Sequence, residues 1–197
     1  IGEIRLQWWR EALDEMYGGG PVRAHPTVEA LAGAIKTHAL PRAPFEALID
    51  ARALDLYDEP FEDIDQYLRD TSSTLMQLAS HVCGGDGAVE PLGVLTGALN
   101  LYTAAPLLRA HGPYPFAELT ADFETLNAKV RAELERALNE SAGTRLPKAG
   151  RAAFLPAVLA RAKARHLLKG KPAAPQPPLP SFRQQLALMR AKVTGRV

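Results

Sequence analysis

Apolar residues recur along this chain at the three- and four-residue spacing of helix faces, and proline and glycine cut that pattern into roughly eight segments. Ile4, Trp8, Leu13 and Met16 predict a helix from Glu3 to Tyr17, stopped by Gly18, Gly19 and Gly20. Pro26 opens a second helix, with Val28, Leu31, Ala32 and Ile35 as its apolar stripe, and it ends before Pro41. Pro44 starts a third, carrying Phe45, Leu48, Ile49 and Leu56, which Pro60 breaks. Phe61 to Val82 reads as one longer helix through Ile64, Leu68, Leu75 and Leu78, closed by Gly84 and Gly85. Leu92 to Ala110 is almost wholly apolar or small, the pattern of a central buried helix, with Pro106 expected to kink it or cut it short. Phe116 to Asn139 and Arg151 to Lys169 are two further amphipathic helices. Lys171 to Pro180 is proline-rich and extended, and Ser181 is placed to cap a last helix, Phe182 to Val193, with Leu186 and Met189 on one side. No 20- to 50-residue repeat and no alternating strand pattern interrupts this reading, so the chain is expected to be all-α.

Composition narrows the picture. The 197 residues suffice for one domain with a single sizeable core, and 47% hydrophobic with 23% charged residues is the balance of an ordinary soluble protein. Alanine and leucine dominate, which favours helix because they lose least on entering one. We expect a single-domain helical bundle over 1–170, a spacer over 171–180, and a C-terminal helix over 181–197 packing on the same domain. The chain opens at Ile1 directly with amphipathic helix and no methionine, so further N-terminal helices are expected upstream.

The formal net charge of +1 predicts no global field that would attract nucleic acid or an anionic membrane, leaving room only for a local patch. One cysteine, Cys83, excludes an intrachain disulfide and a thiolate metal cluster, and its place beside Gly84 suggests a small core residue. No apolar run is long enough to span a membrane. The five histidines show no paired helical spacing, so no metal site is expected from them.

Several residues carry two readings. Trp8 and Trp9 point about 100° apart on a helix, so one is expected in the core while the other is free to meet a partner or a membrane interface. Asp50, Asp55 and Asp58 fall on one predicted helix, with Asp55 and Asp58 on adjacent positions of one face. The general expectation for such acids is a solvated or arginine-paired face rather than a metal role. Thr71, Ser72, Ser73 and Thr74 are unusual inside a helix, where hydroxyls compete with the backbone ladder; they suit close helix packing better than a polar pocket. Arg161, Lys163, Arg165, Lys169 and Lys171 form a basic run that fits phosphates or lipid head groups, or simply a solvated face.

Three stretches resemble the squalene/phytoene synthase superfamily. Ile1-Gly2-Glu3-Ile4-Arg5-Leu6-Gln7-Trp8-Trp9-Arg10-Glu11-Ala12-Leu13 is similar to a characteristic segment of that family, and the glycine break and His25-Pro26 follow in the family's order. Phe45 to Leu56 resembles the helix that bears an aspartate before leucine, matched here by Asp55-Leu56. Tyr67 followed by Thr71-Ser72-Ser73-Thr74-Leu75 resembles the subgroup related to a mitochondrial complex I assembly factor, where prenyl synthases carry Tyr-Cys and then Val-Ala-Gly. The tail from Phe154 to Met189 is similar to the end of bacterial members.

The resemblance implies an isoprenoid (terpenoid) synthase type of helical bundle and gives Asp55, Tyr67, Thr71 and Thr74 a claim to a ligand site, with Asp55 the weak catalytic candidate. Head-to-head prenyl transfer ionises a diphosphate, and Mg²⁺ must neutralise the leaving group through oxygen ligands. The family supplies these from two aspartate-rich motifs on facing helices. The first would lie upstream of Ile1. The second should follow the buried helix, but Leu107-Leu108-Arg109-Ala110 runs into His111-Gly112-Pro113-Tyr114 with no acidic pair. The resemblance therefore implies a non-catalytic protein that binds or assembles at a membrane surface, of the respiratory complex I assembly type, with no cofactor. The competing implication is a prenyl diphosphate synthase that uses Mg²⁺. The implied partners are a prenyl diphosphate or lipid ligand and a membrane-associated protein, not nucleic acid. The implied location is cytoplasmic, peripheral to the inner membrane, or the mitochondrial matrix in a eukaryote.

Overall fold

A computed structural model describes residues 2–56, 63–85, 90–110, 123–169 and 178–197, with the side chains of 105–110 and 123–126 left out. The described residues are helical nearly throughout: α1 (Gly2–Gly18), α2 (Pro26–His38), α3 (Ala43–Leu54), α4 (Ile64–Leu68), α5 (Thr74–Val82), α6 (Glu90–Ala110), α7 (Phe123–Glu140), α8 (Leu155–Leu168) and α9 (Ser181–Thr194). A π turn, Arg69–Ser73, joins α4 to α5, and a short 3₁₀ turn, Arg151–Phe154, leads into α8. Among the described residues the only extended pairing is an isolated antiparallel bridge between Arg145 and Arg196.

The punctuation works as the residues dictate. α2 begins with proline in its first turn behind an extended His25, and Lys36 and His38 sit in its last turn, where cations favour the helix dipole. Asp63 caps α4 by accepting a hydrogen bond from the Gln66 amide at 3.1 Å. Pro106 does not cut α6, which runs on to Ala110. Ser181 does not cap α9; the cap position is Pro180, and Ser181 is already helical with no capping bond. The expected helices from Phe61 and Phe116 start later, at Ile64 and Phe123, and most of the expected spacer lies outside the described residues.

α6 is the centre of the bundle. Val94, Leu95, Ala98 and Leu99 are buried along it, packed by Leu68 of α4, Leu134 and Ala137 of α7, and Ala160 and Ala164 of α8. Burial of each large side chain stabilises by about 1.5–3 kcal/mol, and the alanines let the helices approach closely. It is not buried all round, because Asn100 and Thr103 face solvent. A second cluster gathers Met76, Leu92, Leu146, Phe154, Val158 and Ala191, fastening α9 to the bundle. The chain's last residues are held by backbone bonds from Leu146 N–H to Gly195 O (2.8 Å) and from Val197 N–H to Thr144 O (3.2 Å). A third cluster, Ile35, Leu40 and Leu78, joins α1, α2, α3 and α5.

Candidate functional site

The family-like positions meet where α3 ends beside α4. α3 stops at Leu54, so Asp55 is its C-cap rather than a residue of a longer acidic helix, and Asp58 lies outside the described residues. The Asp55 carboxylate is engaged at both oxygens: Oδ1 accepts from Tyr67 Oη at 3.0 Å and Oδ2 from Arg52 Nη1 at 2.9 Å. Arg52 also donates to Tyr67 Oη at 2.9 Å, and its guanidinium lies 5.9 Å from the Tyr67 ring centre. Asp55 and Tyr67 thus come together, through an arginine that sequence reasoning passed over. Its i, i+3 spacing to Asp55 was the visible signal. Asp50 stands apart, paired with Arg10 at 2.6 Å.

Thr71 and Thr74 are not part of that cluster. The Thr71 hydroxyl is buried and donates to Tyr67 O at 2.6 Å, four residues back, while Thr74 donates to Arg69 O at 3.0 Å, five residues back. Both hydroxyls serve the widened backbone of the π turn, which explains why four consecutive Ser and Thr residues sit there. Ser73 Oγ donates across to Glu90 O at 2.6 Å, at the start of α6. Two glycines of α6, Gly93 and Gly97, let it lie directly on this turn. A Cβ on Gly93 would overlap the Ser73 backbone, and one on Gly97 would overlap the Ser72 side chain. The Gly93-x-x-x-Gly97 spacing was visible in the sequence and marks a close helix crossing. Thr74 instead faces a shallow polar groove of about 330 Å³ with Gln66, Arg69, Asp70 and Glu90.

An ion network braces the same region from below. Asp65 of α4 accepts from Arg69 at 2.6 Å and from Arg136 of α7, and Arg136 also pairs with Glu133 and Glu140. Partial burial raises the Asp65 pKa, but the Arg69 and Arg136 hydrogen bonds outweigh it and hold the carboxyl below its ordinary 3.8. A carboxylate depressed on folding contributes stability that is present above its unfolded pKa and lost as pH falls through the folded one. Thermal stability should therefore fall with acidification below about pH 4, and Asp65→Asn should flatten that part of the melting-temperature profile.

Trp8 and Trp9 are both only partly buried, so neither is the core residue expected. They meet edge-on at 5.0 Å between ring centres, with His25 5.2 Å from Trp8 and Arg23 4.7 Å above the Trp8 ring. Arg23 also donates to Trp8 O at 3.0 Å and to Glu15 at 2.7 Å, fixing the His25-Pro26 corner against α1. Cys83 is exposed at the end of α5 rather than in the core, because the helix stops there and turns into Gly84. Among the described residues no three Asp, Glu, His or Cys side chains converge as a magnesium site would need, and Asp55 already has both oxygens engaged. Also among them, no helix is long and apolar enough to cross a membrane.

Residues 1–105, more than half of the chain, match the family model for squalene/phytoene synthase. Over 114 residues the chain is similar to NADH dehydrogenase (ubiquinone) complex I, assembly factor 6, from rat at 30% identity, mouse at 28% and human at 26%. That stretch is 54% of this chain and 34% of each relative, so the match covers about a third of the curated relatives' length. No solved structure matches the chain. The matched residues hold the Trp8-Trp9 segment, the His25-Pro26 corner, the Asp55–Tyr67 contact and most of α6, and by them the chain belongs to the squalene/phytoene synthase family, with its all-α isoprenoid-synthase fold.

Proposed function

We propose that this chain uses the squalene/phytoene synthase fold for binding rather than prenyl transfer, as an assembly factor for a respiratory NADH dehydrogenase at a membrane surface. The observation that carries the reading is the state of Asp55, the family-like acid at the end of α3: both of its oxygens accept from Tyr67 and Arg52, which gives it a structural task. Three further features support it. α6 runs into His111-Gly112-Pro113-Tyr114 with no acid in those four residues, Ser73 and Ser72 of the turn are packed against Gly93 and Gly97, and the curated relatives are named as complex I assembly factors. In this reading Arg52, Asp55 and Tyr67 lock the junction of α3 and α4, and Thr71 holds the π turn in place behind Tyr67. The protein stays peripheral to the inner membrane and works through a protein partner.

Deleting the gene in its own cell tests the role. Native-gel bands of assembled NADH dehydrogenase should weaken and return with the wild-type protein. Normal assembly in the deletion strain would contradict the proposal.

A further inference from the structure

α8 and α9 meet along an open groove of about 660 Å³ lined by Arg161, Arg165, Arg183, Arg190 and Arg196 and by no acidic residue. Arg161 is 6% exposed. Both of its hydrogen bonds leave from Nη1, to Leu138 O at 3.0 Å and Ser141 Oγ at 2.8 Å, while its Nε is buried without a partner. Neither acceptor is charged, and a buried cation without a counter-charge costs several kcal/mol. Among the described residues none of the five arginines forms a salt bridge, although such pairs recur among them elsewhere, as at Arg23–Glu15, Arg42–Asp14 and Arg131–Glu135.

The sequence gives the reason. All 22 acidic residues lie at or before Glu140, and the 57 residues from Ser141 onward carry twelve Lys and Arg and no Asp or Glu. A net charge of +1 conceals two halves of opposite sign. The expectation of no attracting field, drawn from the total, misses this, and position by position the signal was plain. The basic run read at Arg161, Lys163, Arg165, Lys169 and Lys171 splits in the structure, with Lys169 exposed at the end of α8 and Lys171 outside the described residues. Arg161 is buried and Arg165 lines the groove, while Lys163 faces solvent away from it.

Guanidinium groups match phosphate oxygens in paired geometry, so an anionic oxygen cluster is the complement of this groove. What bears the phosphate is indicated by α9. Its Ala187, Leu188 and Ala191 pack on the bundle, while Phe182, Leu186, Met189 and Val193, spaced four, three and four, are 72%, 52%, 66% and 85% exposed. Leu186 also lines the arginine groove, so the apolar stripe and the basic groove are continuous. A nucleic acid or a free phosphate would use the arginines and leave the stripe in water. The interface of an anionic bilayer satisfies both, as it does for a basic amphipathic helix lying in the membrane plane.

We infer that the α8–α9 groove binds the phosphate headgroup of an anionic phospholipid, with Phe182, Leu186, Met189 and Val193 entering the headgroup–acyl boundary. This deepens the membrane-surface part of the function proposed above and rests on that part alone.

Flotation of the full-length protein with phosphatidylcholine vesicles, with and without a phosphatidylglycerol fraction, tests it. Partitioning should be at least about tenfold stronger on the anionic vesicles and should fall with added salt. Arg183→Gln with Arg190→Gln, both exposed positions, should lower it about tenfold or more with an unchanged circular dichroism spectrum. Leu186→Ser with Met189→Ser should release the protein with all five arginines in place. Equal partitioning on neutral and anionic vesicles would overturn the inference, as would indifference to the double arginine change. So would tight binding of inorganic pyrophosphate or of duplex DNA by a protein that leaves vesicles unbound. Vesicle binding reads the headgroup site and the gene deletion reads the assembly role, so either can fail without the other.

Discussion

Gly93→Ala should destabilise this protein by about 3 kcal/mol, the upper range for overpacking a core, although it adds a single methyl group and improves helix propensity. The new Cβ would overlap the Ser73 backbone and hydroxyl, which belong to the π turn and cannot swing aside as the end of a long side chain can. Relief requires α6 to move away from the turn, which opens the contact of Val94, Leu95 and Ala98 with Leu68 and breaks the Ser73 to Glu90 bond. Gly33→Ala in the middle of α2 is the matched control. Nothing lies within 4 Å of a Cβ there, so it should stabilise by about 0.5–1 kcal/mol. Urea unfolding followed by helix signal reads both, and equal behaviour of the two variants would remove the close crossing from the account.

Phe154→Ala should cost more, about 3–5 kcal/mol, as truncations of fully buried aromatics do. Phe154 is 0% exposed and is the largest side chain of the cluster that joins Met76, Leu92, Leu146, Val158 and Ala191. It stands where the 3₁₀ turn becomes α8, so its ring holds α5, α6, α8 and α9 at one point. Beyond the overall loss in the urea midpoint, α9 should become the first site of limited proteolysis, because Phe154 belongs to the cluster on which Ala187, Leu188 and Ala191 of α9 pack. A Phe154→Ala protein that keeps wild-type stability would show the cluster to be peripheral.

The helices were legible because their boundaries are written locally. Gly18 and Gly19, Pro26, Pro41 and Pro44 act on the backbone within one turn, and each places an end within a few residues of where it falls. The family and the all-α class followed from the same local record. What was not legible depends on contacts made across the fold. The π turn inside the expected Phe61–Val82 helix follows from hydroxyls bonding backward and from α6 arriving on Gly93 and Gly97, neither of which a helical period reveals. Cys83 looked like core because cysteine usually is, but α5 ends on it in the open. Two adjacent tryptophans suggest one inside and one outside, whereas Arg23 folds over Trp8 and His25 meets both rings at the corner. Asp55 is marked by its resemblance, but the pairing with Arg52 and Tyr67 that gives it a structural task joins α3 to α4 across a gap in the helical pattern.

The central proposal is that this member of the family does not ionise prenyl diphosphates, because Asp55 is held by its neighbours and no acidic pair stands in the stretch that follows α6 as far as Tyr114. Diphosphate release by the full-length protein from farnesyl and geranylgeranyl diphosphate with Mg²⁺ measures it most directly. We expect release no faster than in protein-free controls, with Asp55→Asn leaving that baseline unchanged while loosening the contact with Tyr67. Sustained release that vanishes in Asp55→Asn would contradict the account.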